Sequence, residues 1–116
     1  MSNNIQIKRI YEKPESSDGY RILIDRIWPR GIKKEDALLD EWNREIAPST
    51  ELRKWFDHRE ERFAEFTKRY KKELQPHASE LHRIKQLSKT KHVSLLYGAK
   101  DPNFNQAIVL LNILNQ

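Results

Sequence analysis

The stretch Tyr20-Arg21-Ile22-Leu23-Ile24-Asp25, followed directly by Arg26-Ile27-Trp28-Pro29-Arg30-Gly31, limits the folds open to this chain more than any other. A short, nearly continuous apolar centre reads as a strand buried on both faces, the habit of parallel sheets covered by helices. Pro29 disfavours the helical region at Trp28, and Gly31 accepts a positive φ that a bulkier residue resists. The strand therefore ends in a stiff turn that carries an acid, two arginines and a tryptophan. An α/β domain presents a polar pocket in this way.

The remaining chain fits the same class. Ile5, Ile7 and Ile10 with Gln6 and Lys8 between them predict a first strand over 5–10, and Lys13 to Gly19 has turn composition throughout. Lys33 to Ala37 is long enough for one or two helical turns. Leu38 to Ile46 reads either way: Leu39, Trp42 and Ile46 have helical spacing, whereas Leu38 and Leu39 suit a strand start. Ser49 is an N-cap candidate for a helix carrying Leu52, Trp55 and Phe56. Asp57 with Glu60 resembles a capping box, and Phe63, Phe66, Tyr70 and Leu74 form an amphipathic stripe behind it. Gln75-Pro76-His77 breaks that helix, and Ala78, Leu81, Ile84 and Leu87 mark the next. His92 to Tyr97 is a further strand. Gly98 to Asp101 turns the chain, with Asp101 as the predicted N-cap and Pro102 in the first position of a last helix over 103–114. Strands, helices, strand and helix in this order predict a small α/β fold. It is a three-layer sandwich, complete or incomplete, with a mostly parallel sheet, in one domain spanning 1–116.

Composition narrows the chemistry. The absence of cysteine excludes disulfides, thiolate catalysis and cysteine-ligated metals. No secretory h-region follows Met1, and no apolar run approaches the roughly 20 residues of a membrane span, so a cytoplasmic protein is the expectation. The net charge of +5 favours anionic partners, although acidic and basic residues are mixed along most helices. His58, His77, His82 and His92 match no zinc signature, and neither a dinucleotide-binding glycine motif nor a P-loop is present. Neither a metal nor a cofactor is therefore predicted.

Ligands of open α/β sheets sit outside the carboxyl ends of the strands. Two strands end here in polar turns, one with Asp25, Arg26, Trp28 and Arg30, the other with Tyr97, Lys100, Asp101 and Asn105. If the two strands are parallel neighbours, both turns share one edge. Arg26 and Arg30 are suited to hold phosphate, sulfate or carboxylate, with Lys100, Asn105 and the start of the last helix beside them. Arg26 equally suits a pair with Asp25 or a helix carboxylate and Arg30 a place bordering the sheet, and Trp28 suits either stacking on a planar ligand or packing. Asp25 and Asp101, with Tyr97 as polar helper, are the weaker candidates for catalysis. Lys68-Arg69 and Lys71-Lys72 form a basic cluster that suits nucleic acid or solvent.

Lys8-Arg9-Ile10-Tyr11, Asp18 through Gly31, Ile46-Ala47-Pro48-Ser49, Leu52 through Phe56, and Leu95 through Asp101 resemble the short, YeaO-like branch of the family catalogued as domain of unknown function 488. The resemblance covers nearly the whole chain and implies a compact α/β protein. Longer relatives carry a Cys-His-Arg-like sequence that falls near Phe104-Asn105-Gln106 here, and short members often have His-Asn at 104 and 105. This chain keeps Asn105 but has Phe104, so the resemblance implies binding more readily than histidine or cysteine chemistry at that point.

Three functional readings follow. The first is an anion-binding protein that acts on or senses a nucleotide or nucleic-acid component. The second is a hydrolase or transferase using a strand-end carboxylate. The third is a basic module that contacts nucleic acid or a protein.

Overall fold

The structure, a computed structural model, describes residues 4–116. Its sheet has four strands: β1 (Ile5–Arg9), β2 (Tyr20–Leu23), β3 (Glu41–Trp42) and β4 (Val93–Tyr97). They lie in the order β1-β4-β2-β3, and every pairing is parallel. Five α-helices accompany them: α1 (Lys34–Ala37), α2 (Thr50–Phe56), α3 (Phe63–Leu74), α4 (Ala78–Leu87) and α5 (Gln106–Leu114). The two longest apolar strand runs, β2 and β4, are the central strands, which is where burial on both faces is required.

Alternation along these strands divides the interior in two. Ile22, Val93, Leu95 and Tyr97 point into the larger core with Leu52 and Phe56 of α2, Phe66, Tyr70 and Leu74 of α3, Ile84 of α4 and Ala107, Leu110 and Leu114 of α5. Tyr70 is fully buried, and its hydroxyl donates to the Ile46 carbonyl, so the largest core side chain leaves no unsatisfied polar atom. Leu23 and Leu96 face the other way, into a small cluster with Ile10, Ala37, Trp28 and Trp42. That second face is covered by α1 and loops. The sandwich thus has one thick helical layer and one thin layer, as the incomplete three-layer expectation describes.

Next to the small apolar cluster, the second face holds buried charge. Asp18, 1% exposed, receives Lys8 Nζ on Oδ1 at 2.9 Å and Arg21 NH1 on Oδ2 at 2.5 Å, and the Glu15 backbone N–H donates to Oδ2 at 3.0 Å. Arg21 continues to the Ala37 carbonyl at 2.8 Å and, through Nε, to the Leu38 carbonyl at 3.2 Å. Those bonds help hold Leu38 in a left-handed conformation, φ 50°, that a leucine otherwise resists. Ser94, the one polar residue of β4 between apolar neighbours, donates to the Asp18 carbonyl at 2.7 Å and accepts from Gln6 at 2.7 Å. What composition presents as a plain turn at 13–19 is therefore a hub joining β1, β2 and β4.

Two local expectations are corrected. Asp101 does not cap the last helix. Its Oδ1 accepts the N–H groups of Asn103 and Phe104 at 2.8 and 3.2 Å, folding a loop that contains Pro102. The N-cap is Asn105, whose Oδ1 accepts from Ile108 N–H at 3.1 Å, and the helix starts at Gln106, where the apolar run begins. Both residue types cap well, and the apolar side chains that can be buried on the sheet decide between them. Asp57 likewise heads no capping box. Its N–H bonds to the Arg53 carbonyl and ends α2, and it and His58 both take left-handed conformations, φ 50° and 54°. The ambiguous segment 38–46 contains a two-residue strand, Glu41–Trp42, rather than a helix. Ser49 caps α2 as expected, accepting from Leu52 N–H at 3.1 Å.

Burial raises the pKa of Asp18, but the Glu15 N–H, Lys8 and Arg21 outweigh it and hold the carboxyl below its ordinary range. Its stabilising contribution is therefore present above that range and lost as pH falls through the lowered value. Removing the carboxyl leaves Arg21 buried without a counter-charge and Lys8 with only the exposed Glu15 at 3.2 Å, a change that costs about 3–5 kcal/mol. Asp18→Ala should lower the urea-unfolding free energy by that order, whereas Glu15→Ala, at the exposed margin, should change it by less than about 1 kcal/mol. Equal, small effects for both substitutions would refute the hub.

Candidate functional site

Because β2 and β4 are parallel neighbours, Tyr20–Leu23 opposite Val93–Leu96, their two polar turns do emerge at one edge. β1 contributes a third. Arg9 Nε donates to the Ala99 carbonyl at 2.9 Å, and the Tyr11 hydroxyl donates to the Arg30 carbonyl at 2.8 Å. Three strand-end loops are thereby tied around a cavity of about 220 Å³. Tyr11 comes from the first loop, Asp25, Trp28 and Arg30 from the second, and Gly98 and Ala99 from the third. Arg53 of α2, His58 and Gln106 of α5 complete the wall.

Asp25 is the centre of this geometry. Its Oδ2 accepts the Gly98 backbone N–H at 2.9 Å, and Gln106 Nε2 donates to Oδ1 at 2.5 Å. Its own carbonyl accepts from Trp42 Nε1 at 2.7 Å, which fixes the turn from the β3 side. A Cβ on Gly98 would stand 2.8 Å from Asp25 Oδ2, closer than real side chains approach, so this position requires glycine for contact with the carboxylate. Burial raises the Asp25 pKa to about 6, against the opposing pull of the Gly98 N–H, Arg53 and Gln106. A carboxyl of this kind changes charge within reach of neutral pH.

The other expected residues are distributed unevenly. Arg30 lines the cavity with its side chain exposed. Trp28 forms part of the wall, yet its ring meets Trp42 edge-on at 5.2 Å and its Nε1 donates to the Ile32 carbonyl at 2.6 Å, so it is also a packing anchor. Arg26 does not line the cavity. Its guanidinium donates to the Ala47 carbonyl at 2.8 Å and binds the chain leading into α2 to the turn. Asn105 is buried as the cap of α5, and Tyr97 is buried in the core, where burial raises its pKa. Lys100 and Asp101 border a neighbouring depression of about 510 Å³ that shares His58, Gly98 and Ala99. The basic cluster on α3 faces solvent, with Arg69 paired to Glu65 at 2.9 Å and placed 4.1 Å from the Trp55 ring centroid. Among the described residues no group of three or more His, Cys, Asp or Glu is arranged to hold a metal, and no helix is long and apolar enough to cross a membrane.

Arg53, His58 and Gln106 are the site residues that sequence patterning does not reveal. Arg53 sits between the buried Leu52 and the half-buried Trp55 on a helix read only for its apolar face, and Gln106 lies inside what was expected to be a helix already under way. The nearest signal for His58 is the Asp-His pair after Phe56, since Asp and His are among the residue types that tolerate left-handed backbone. Consecutive left-handed residues of this kind are strained, and such strain collects at functional sites.

Fold and site together define a small, all-parallel α/β protein with a loop-built, arginine-bearing pocket at the carboxyl edge of its sheet. The chain belongs to the DUF488 family: residues 4–116 match the group described as "Inactive DUF488-N3 subclade". It is 51% identical over 111 residues to "Uncharacterized protein YeaO" of Escherichia coli (strain K12), covering 96% of each chain. It is 39% identical over 111 residues to "Uncharacterized protein Rv3073c" of Mycobacterium tuberculosis (strain ATCC 25618 / H37Rv), covering 96% of this chain and 93% of that one. No solved structure matches the chain.

The raised Asp25 pKa has a definite sign. The folded state holds this proton more tightly than the unfolded chain, so the associated stability is present below the ordinary carboxylate range and lost as pH rises through about 6. Carbon-detected NMR titration should find Asp25 changing charge near pH 6, and Arg53→Ala should move that midpoint upward by removing a favourable positive charge. A midpoint in the ordinary carboxylate range, unmoved by Arg53→Ala, would contradict the described burial.

Proposed function

We propose that this protein binds a small anionic ligand at the carboxyl edge of its sheet, with Arg30 and Arg53 gripping the anion, and that a nucleotide-type molecule is the leading class. One observation carries this reading. Among the described residues, Arg30 and Arg53 are the two arginines whose guanidinium groups make no hydrogen bond, salt bridge or ring contact, and both line the same cavity. The others are committed: Arg9, Arg21, Arg26, Arg62, Arg69 and Arg83 to hydrogen bonds, Arg44 to the Trp42 ring and Arg59 to carboxylates. The charge of Arg53 acts on Asp25, favouring its ionised form. Uncommitted guanidinium forks converging on a concave site are the recognition elements for phosphate and carboxylate. The Asp25 carboxylate and the Gln106 side-chain carbonyl add acceptor capacity for a base or hydroxyl edge. Arg26 supports the site indirectly by holding the chain that leads into α2.

Binding of inorganic phosphate or a nucleoside monophosphate, followed by calorimetry, tests this. Arg30→Ala and Arg53→Ala should each weaken binding about tenfold or more, the loss expected for a charge-assisted contact. Affinity should also fall as pH rises through about 6, because ionised Asp25 then repels the anion. Wild-type binding that neither substitution alters would overturn the assignment.

A second reading has its own observation. A carboxyl with a pKa near 6 inside a cleft is the profile of a general acid or base, which favours a hydrolase or transferase centred on Asp25. Against it, both Asp25 oxygens already accept protein hydrogen bonds, and the cavity wall carries no serine, threonine or lysine as nucleophile. The family description "Inactive" also fits binding better than turnover. Hydrolysis of a chromogenic phosphate ester that disappears in Asp25→Asn would reverse this preference.

A further inference from the structure

Beside the cationic cavity lies a second, narrower one of about 60 Å³, and the two share Arg53, His58, Ala99 and Gln106 as common wall. The remaining wall of the second is mainly apolar: Pro48, Phe56, Phe66 and Phe104. Its rings are locked by one another. Phe56 stacks on Phe66 at 4.4 Å, and Phe104 meets Phe63 edge-on at 5.3 Å. Of the polar side chains that border it, Asn105 and Gln106 already make hydrogen bonds, and Arg53 is the uncommitted one shared with the arginine cavity. Asn105 is committed at both side-chain ends, to Ile108 N–H and to the Asp101 carbonyl, and Gln106 Nε2 is bound to Asp25. An alkyl group seated against Pro48, Phe56, Phe66 and Phe104 would remove their apolar surface from water, which is favourable.

We infer that the ligand of the arginine cavity carries a short aliphatic arm, of about two or three carbons, that seats in the phenylalanine cleft. This rests on the anion-binding reading and deepens it. Size sets the limit. A cavity of about 150 Å³ accepts benzene, so a cleft of about 60 Å³ takes a few heavy atoms and excludes an aryl ring. The shared wall sets the direction, because Arg53 reaches both spaces and an anion beside it has the cleft within one substituent. The ligand class is therefore a compact alkyl-bearing phosphate, phosphonate or carboxylate. A nucleotide in the cavity would leave the cleft to a small substituent and keep its base outside it.

Calorimetry with methyl-, ethyl-, propyl- and phenylphosphonate tests the inference. Affinity of the wild-type protein should rise about fourfold for each methylene from methyl to propyl and drop for phenyl. Phe104→Ala, which opens the cleft, should shift the optimum to phenylphosphonate, and Phe104→Trp, which fills it, should abolish the gain with chain length. Circular dichroism checks that each variant is folded, and the wild-type series decides the matter alone if neither is. A flat series with methylphosphonate still bound in an Arg53-dependent way would overturn the aliphatic arm and leave the anion site standing. Failure of every phosphonate and of inorganic phosphate to bind would overturn both.

Discussion

One buried carboxylate, Asp18, sets the conditions for the rest of the molecule. A parallel sheet needs cover on both faces, and a chain of this size has enough helix for one. The other face is closed by a loop that turns inward its own acid, which meets Lys8 from β1 and Arg21 from β2, while its carbonyl takes Ser94 from β4. β1 and β2 thus share one counter-charge, and β4, distant in sequence, is tied to the same residue through its backbone carbonyl. Such a network adds little net stability compared with an apolar core of equal volume, but it penalises every pairing in which one member is left alone. It therefore favours the one register that brings β1 and β2 to either side of β4, and that register puts three strand ends around one cavity.

The same logic explains why the site could be half read from the residues. Asp25, Trp28 and Arg30 follow a strand whose apolar run marks it as central, and a strand end in a parallel sheet is a place for ligands whatever the protein does. The partnership with Gly98 and Ala99 depended on β2 and β4 being neighbours, which no local pattern encodes, because pairing over such a sequence distance is decided by tertiary fit. Asp18 was hidden for a related reason. In a segment of Pro, Glu, Ser and Gly, an aspartate looks like turn chemistry, and its burial exists only once Lys8 and Arg21 arrive from two different strands. Arg53 and His58 were hidden because a helix is read through its apolar face. Their position is fixed by how α2 ends, on two left-handed residues.

The exchange of roles between Asp101 and Asn105 shows how narrow such local decisions are. Either residue caps a helix well, and the proline after Asp101 supports the earlier start. Starting there would extend α5 by a turn containing Asn103, which gains nothing from burial. The later start makes Asn105 the cap and brings Gln106 against Asp25. A small change in where a helix begins therefore determines whether the carboxylate has a second hydrogen-bond donor. The same loop leaves Phe104 half-buried against Phe63, in the wall of the smaller cavity.

Asp25 and Arg53 hold opposite positions in the energetics of the pocket. Burial favours the neutral acid, the nearby guanidinium favours the ionised form, and the balance falls at about 6. An anion bound there as proposed would take the guanidinium for itself and add repulsion, so both of its effects would push Asp25 toward protonation. On the proposed anion-binding reading, anion uptake and proton uptake would be linked without any moving part, and the linkage would be reciprocal: whatever protonates Asp25 would also strengthen the hold of Arg30 and Arg53 on the anion. The hydrogen bonds from Gly98 and Gln106 are what keep this balance within reach of physiological pH, since without them burial alone would hold the acid neutral over a wider range. That is a physical reason for a glycine and a glutamine to stand beside a carboxylate whose task need not be catalytic.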